Sequence, residues 1–136
     1  MRRWLLLAPI LLAGCQAETS TCTQAPPVVG TWRYAGVEQT PVRATMTGTL
    51  SISSASCDGI AGQLDVMQTE ASGTTRRLAG PVTGQAVDGV SFRFNAFLDA
   101  NPRQHIASFA GDSLWGSWLS TDGTQSATGT FAARRQ

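Results

Sequence analysis

From Val28 onward, apolar and polar residues alternate with period two and not 3.6. The clearest stretch is Ala44-Thr45-Met46-Thr47-Gly48-Thr49-Leu50-Ser51-Ile52. Ala, Met, Gly, Leu and Ile fall on one face, and Thr or Ser on the other. Successive strand side chains point to opposite faces, so this pattern predicts a half-buried strand with its β-branched threonines outside. Ile60, Gly62, Leu64 and Val66 repeat the apolar set. Val90, Phe92 and Phe94 follow, then Leu114, Gly116 and Trp118, then Ala127, Gly129 and Phe131. No window supports a long amphipathic helix.

Turn chemistry separates these runs: Gln39-Thr40-Pro41, Cys57-Asp58-Gly59, Ser72-Gly73, Asp88-Gly89, Asn101-Pro102, Gly111-Asp112 and Asp122-Gly123. Eight strands are predicted, at 28–36, 42–54, 59–69, 74–85, 89–98, 103–110, 113–120 and 126–135. Eight short strands on tight turns predict an all-β, antiparallel up-and-down meander, and closing it into a barrel removes its edges. Gly48, Gly62, Gly116 and Gly129 each fall on the apolar face, two residues before a large apolar side chain. The chain holds 14 glycines, but this repeated phase points to the kinks that barrel sheets need in order to curve.

The first twenty residues obey another rule. Met1-Arg2-Arg3 is cationic, and residues 4–14, WLLLAPILLAG, carry no charge. About 20 apolar residues are needed to span a bilayer, so this run is too short for a permanent transmembrane helix. A charged start, a short apolar centre and small residues at its end describe a secretory signal peptide. Leu12-Ala13-Gly14-Cys15 resembles the lipobox of bacterial lipoproteins. The resemblance implies cleavage before Cys15, a diacylglycerol on its thiol and an acylated amino group. Two or more acyl chains anchor a protein stably, at about 0.8 kcal/mol per buried CH₂. Gln16, in place of Asp, implies by the same resemblance the outer membrane of a Gram-negative cell, facing the periplasm. Residues 15–27 are small and polar and end in Pro26-Pro27, which reads as a flexible lipidated tether. The barrel domain is then 28–136.

Composition limits the partners. There is no Lys; outside the leader, eight Arg face nine acidic residues. Near-neutral charge without a basic cluster argues against nucleic acid. Cys22 and Cys57 are the cysteines left once Cys15 is lipidated. Export makes a disulfide permissible, and they allow one intramolecular pairing.

Val29-Gly30-Thr31-Trp32 resembles the Gly-x-Trp signature that opens the first strand of lipocalins and related calycin barrels, avidins included. In those families the Trp points inward and closes one end, and in lipocalins an Arg from the end of the barrel packs against it. The resemblance implies a barrel-closing pair of Trp32 and Arg135, which shares the phase of Phe131 and Ala133. It does not imply a particular ligand. The chain is shorter than a lipocalin and shows neither a long lid loop nor a terminal helix.

Catalytic chemistry is unmarked. His105 is the only His and lies in phase with Ala107 and Phe109, as a core histidine would. The sequence contains no metal-ligand set, nucleophile elbow or phosphate loop. It implies no cofactor, and an enzyme is not expected. Trp32, Tyr34, Phe92, Phe94, Phe109 and Trp118 share the inward phase. They line a chamber for a small apolar ligand, or they fill the interior themselves. Phe97, Ile106, Trp115 and Leu119 fall on the outward phase and form a candidate surface for an envelope protein, unless the phase of strand six or seven is off by one residue. Two functions follow: a membrane-anchored, non-catalytic barrel that binds a small apolar ligand, or an envelope interaction module with a solid core.

Overall fold

The computed structural model describes residues 22–121 and 125–136. The expected leader, Cys15 and most of the expected tether lie outside this range. Eight strands follow in chain order: β1 (Gly30–Thr40), β2 (Ala44–Ala55), β3 (Ile60–Glu70), β4 (Thr75–Ala86), β5 (Ser91–Ala96), β6 (Arg103–Ala110), β7 (Ser113–Thr121) and β8 (Ser126–Arg135). Each pairs antiparallel with the next, and β8 returns to β1, closing the barrel. The closing register runs from Trp32↔Arg135 to Thr40↔Thr128, with an irregularity between Glu38 and Thr40. The all-β, up-and-down meander barrel expected from the alternation is therefore the fold.

The glycines explain how so short a sheet curls. A Cβ on Gly48 would collide with the Asp65 carbonyl oxygen, and one on Gly116 with that of Ile106. Both stand where the neighbouring backbone crosses too close for a side chain. Gly62 and Gly129 face the same obstruction, as do Gly80 and Gly84. These are the kinks that bring β1 and β8 together.

Inside, Leu50, Leu64, Val66, Val82, Phe92, Phe94, Ala107, Leu114 and Phe131 form one continuous apolar core. The two ends differ. One is closed by residues 22–29, which lie across it instead of extending the first strand. β1 therefore starts at Gly30 and not at 28: Val28 is fully buried, and its carbonyl accepts the Trp32 indole N–H at 2.9 Å. A disulfide between Cys22 and Cys57, 35 residues apart, ties this segment to the β2–β3 turn. Pro26 is buried as well, so the last part of the expected tether belongs to the barrel's cap. The opposite end, where β1 leads into β2 and β3 into β4, is the mouth.

Candidate functional site

At the closed end, the Arg135 guanidinium lies 4.3 Å from the Trp32 ring centroid. It donates to the carbonyls of Val29 at 2.7 Å and Pro27 at 2.8 Å, and its Nε is 3.2 Å from Asp112. Gly30 makes room for it: φ is +141°, in the region glycine favours, and a Cβ there would sit 2.7 Å from Arg135 Nη1. Gly-x-Trp and the distant Arg135 therefore form one local structure.

Rings fill the middle of the barrel. Tyr34 stacks on Phe131 with centroids 5.4 Å apart, and His105 stacks on Phe94 at 4.3 Å. Phe92 lies 5.7 Å from Phe94 and 6.1 Å from Phe109; Phe109 is half-buried at the edge of the core. Between the rings runs one polar thread. The backbone carbonyl of Arg103 can only accept, so His105 Nδ1–H donates to it, at 2.9 Å. Nε2 is then the acceptor, and the Tyr34 hydroxyl donates to it at 3.1 Å. Burial lowers the His105 pKa to about 4, helped by the Arg103 charge and opposed by the carbonyl hydrogen bond. Burial likewise raises that of Tyr34. Both groups are neutral at neutral pH and act as core.

Chemistry concentrates at the mouth. Glu38 continues the inward phase of β1 beyond Tyr34, Gln68 that of β3 beyond Val66, and Arg103 precedes His105 on β6 in the same phase. All three are buried. Gln68 donates through Nε2 to Glu38 Oε2 at 2.8 Å and accepts from Arg76 Nε at 3.0 Å. Burial raises the Glu38 pKa, against the opposing pull of Arg103 and Arg76. Arg103 lies over the Trp118 ring at 4.9 Å and donates Nη1 to the thioether of Met46 at 2.8 Å. Its charge partner is Asp99 at 3.5 Å, which Arg76 shares at 4.0 Å. Glu38, Arg76, Asp99 and Arg103 line a hollow of about 150 Å³, completed by Pro41, Asn101, Ser120, Gln125 and Ala127. The Trp118 ring that Arg103 covers has its Nε1 buried, without a hydrogen-bond partner among the described residues. An unmet buried donor costs about 1–3 kcal/mol.

Of the residues singled out by sequence, Trp32, Tyr34, Phe92, Phe94 and Trp118 are buried inside the barrel, and Trp118 lies under the Arg103 guanidinium. The outward set is exposed: Phe97, Ile106, Trp115 and Leu119 are 42–51% accessible. The register sets a polar residue directly across from three of them: Gln104 from Leu119, Ser117 from Ile106 and Ser108 from Trp115. Ile106 and Leu119 border one shallow outer groove. Among the described residues, no group of His, Cys, Asp and Glu could hold a metal ion. Sequence reasoning missed Glu38, Gln68 and Arg103. The available signal was a polar residue continuing the inward phase at the same end of three strands.

The class these features define is a small closed antiparallel β-barrel with one capped and one polar end. No protein-family model and no curated protein sequence matches the chain. Solved structures do. EF1p2_mFAP2b bound to DFHBI is 14% identical, over 79% of this chain and 93% of that one, with a TM-score of 0.63. A de novo designed fluorescence-activating β-barrel is 18% identical over 79% and 93%, with a TM-score of 0.59. The S-type phycobiliprotein lyase CPES from Guillardia theta is 10% identical over 80% and 88%, with a TM-score of 0.51. At such identities the fold is what is shared.

Proposed function

We propose that this chain is a lipid-anchored protein of the bacterial cell envelope whose barrel binds a small ligand at its polar mouth. The observation that carries the ligand reading is the hollow beside Arg103, lined by a buried guanidinium and a buried acid. Buried charge is expensive and is retained where it has work to do. The aromatic interior is occupied by its own stacked rings, so the ligand sits with its polar end among Arg103, Asp99 and Glu38. An apolar part has room beside Ala127. Barrels of this fold solved with DFHBI are consistent with a small-molecule occupant. Nothing in the site calls for chemistry on the ligand.

The anchor gives the barrel an orientation. Six residues lie between Cys15 and Cys22, and the seven Cα-to-Cα steps reach at most about 25 Å. Cys22 is bonded to Cys57 at the closed end. An acylated Cys15 holds that end toward the bilayer and turns the mouth toward the periplasm, in a cell with an outer membrane.

Native mass spectrometry of the protein extracted from membranes of a producing bacterium tests this. The expected spectrum shows loss of residues 1–14, acyl mass on Cys15 and a small-molecule adduct. The adduct disappears in Ala127→Trp, which plugs the mouth, and persists in Trp115→Asp. An adduct that survives Ala127→Trp removes the mouth from the account, and an unmodified Cys15 removes the anchor. The exposed Trp115, Ile106 and Leu119 favour a second reading, a docking face for an envelope protein. Crosslinked neighbours lost in Trp115→Asp, without any adduct, would select it.

A further inference from the structure

We infer that the mouth is built for a small carboxylate, with Arg103 as the group that receives it. This deepens the mouth reading above and rests on it. The argument is a count of donors and acceptors. Arg103 carries five N–H donors, and its side chain is 6% exposed. Among the described residues its side chain makes one hydrogen bond, to a thioether, Met46 Sδ at 2.8 Å, and sulfur is a weak acceptor. Its carboxylate, Asp99, stands 3.5 Å away, beyond the 2.7–2.9 Å of a charge-assisted hydrogen bond. The same carboxylate also serves Arg76 at 4.0 Å. Two guanidiniums therefore share one distant anion.

The neighbouring acid does not close the gap. Glu38 spends Oε2 on Gln68, and its burial favours the neutral form. The ring that Arg103 covers adds a further unmet donor, Trp118 Nε1. Among the described residues, Arg103 thus has a thioether and no carboxylate oxygen at the distance of a charge-assisted hydrogen bond. A ligand carboxylate supplies two oxygens in one plane, matching a guanidinium edge, and displaces Met46 Sδ as the partner of Nη1. A hollow of about 150 Å³ admits a short chain and excludes a bulky one.

The experiment uses butanoate, butanamide and butylammonium, titrated into uniformly ¹⁵N-labelled protein. The readout is the Trp118 indole N–H resonance, assigned by its loss in Trp118→Phe. Butanoate should move it saturably, together with the backbone amides of Gln104 and Ala127. Butanamide should bind at least tenfold more weakly, and butylammonium should leave it still. Arg103→Gln should weaken butanoate at least tenfold. Asp99→Asn, at an accessible position, should tighten it at least threefold by releasing Arg103 from its competitor; this variant decides the matter should Arg103→Gln fail to fold. Equal binding of butanamide, or weaker butanoate binding in Asp99→Asn, overturns the carboxylate. Butylammonium moving Trp118 overturns it too while keeping the mouth. Stillness with all three compounds also overturns it, and the mouth itself is then judged by the adduct lost in Ala127→Trp.

Discussion

Acid should unfold this barrel earlier than its carboxylates require, because His105 takes a proton far less readily folded than unfolded. Its pKa is about 4 in the core against an ordinary value of 6.5. The folded value is depressed, so the unfolded chain binds the proton first. Stability is full above pH 6.5 and falls as the pH drops toward 4, where the native form begins to protonate as well. The shift corresponds to about 3 kcal/mol over the whole window, at about 1.4 kcal/mol per pKa unit. Between pH 7 and pH 5 the same linkage gives a loss of about 2 kcal/mol. Glu38 opposes it: its folded pKa is raised, so it gains stability as the pH falls toward its unfolded value. Asp65 and Asp88 are lowered, Asp65 chiefly by its hydrogen bond from Arg77 and Asp88 chiefly by the Val90 N–H. Their losses begin below pH 4, outside the comparison. Urea unfolding followed by Trp fluorescence at pH 7, 6 and 5, at fixed ionic strength, measures the slope. The control is Tyr34→Phe with His105→Leu, which removes both ends of the buried hydrogen bond and leaves neither orphaned. Wild type should lose about 2 kcal/mol between pH 7 and 5. The double variant should stay flat or gain slightly, through Glu38. Equal slopes in the two proteins would refute the neutral, buried His105.

The remaining predictions concern the frame. Gly116→Ala forces a Cβ into the Ile106 carbonyl and should cost at least about 2 kcal/mol, whereas Gly89→Ala meets nothing within 4 Å and should stay within about 0.5 kcal/mol; equal urea midpoints would deny that the glycines set the curvature. Arg135→Gln should cost about 1–2 kcal/mol through the lost Trp32 contact and carbonyl bonds, with no separate allowance for Asp112, whose side chain is 78% exposed; an unchanged midpoint would make the cap incidental. Replacing Cys22 and Cys57 together by Ser should lower stability by about 3–4 kcal/mol, as a loop spanning 35 residues implies, and a midpoint unmoved by the double substitution would show the cap held without it.

The fold is legible because both faces of most strands announce themselves. Thr45, Thr47, Thr49 and Ser51 against Met46, Leu50 and Ile52 leave one choice of phase. Boundaries slip where an inward residue is polar. The alternation places the end of β1 at 36, yet the strand runs to Thr40, because Glu38 keeps the phase but breaks the apolar pattern. The fifth strand, expected at 89–98, shrinks to Ser91–Ala96: Asp88 draws Val90 N–H and the Ser91 hydroxyl into the preceding turn. The mouth is hidden for the same reason. A search for apolar phase discards Glu38, Gln68 and Arg103 as surface, and only the register shows that they gather at one end. That Gly129 lies flat against the Trp118 ring depends on pairing across strands, which one sequence does not display.

Comparison of methyl and indole NMR spectra of the protein as extracted from membranes with those of the same protein stripped by unfolding and refolding tests the central claim most directly. The account predicts differences at Met46, Trp118 and Ala127, around the mouth, with the closed end silent. Differences confined to Ile106, Trp115 and Leu119, or absent altogether, would contradict it.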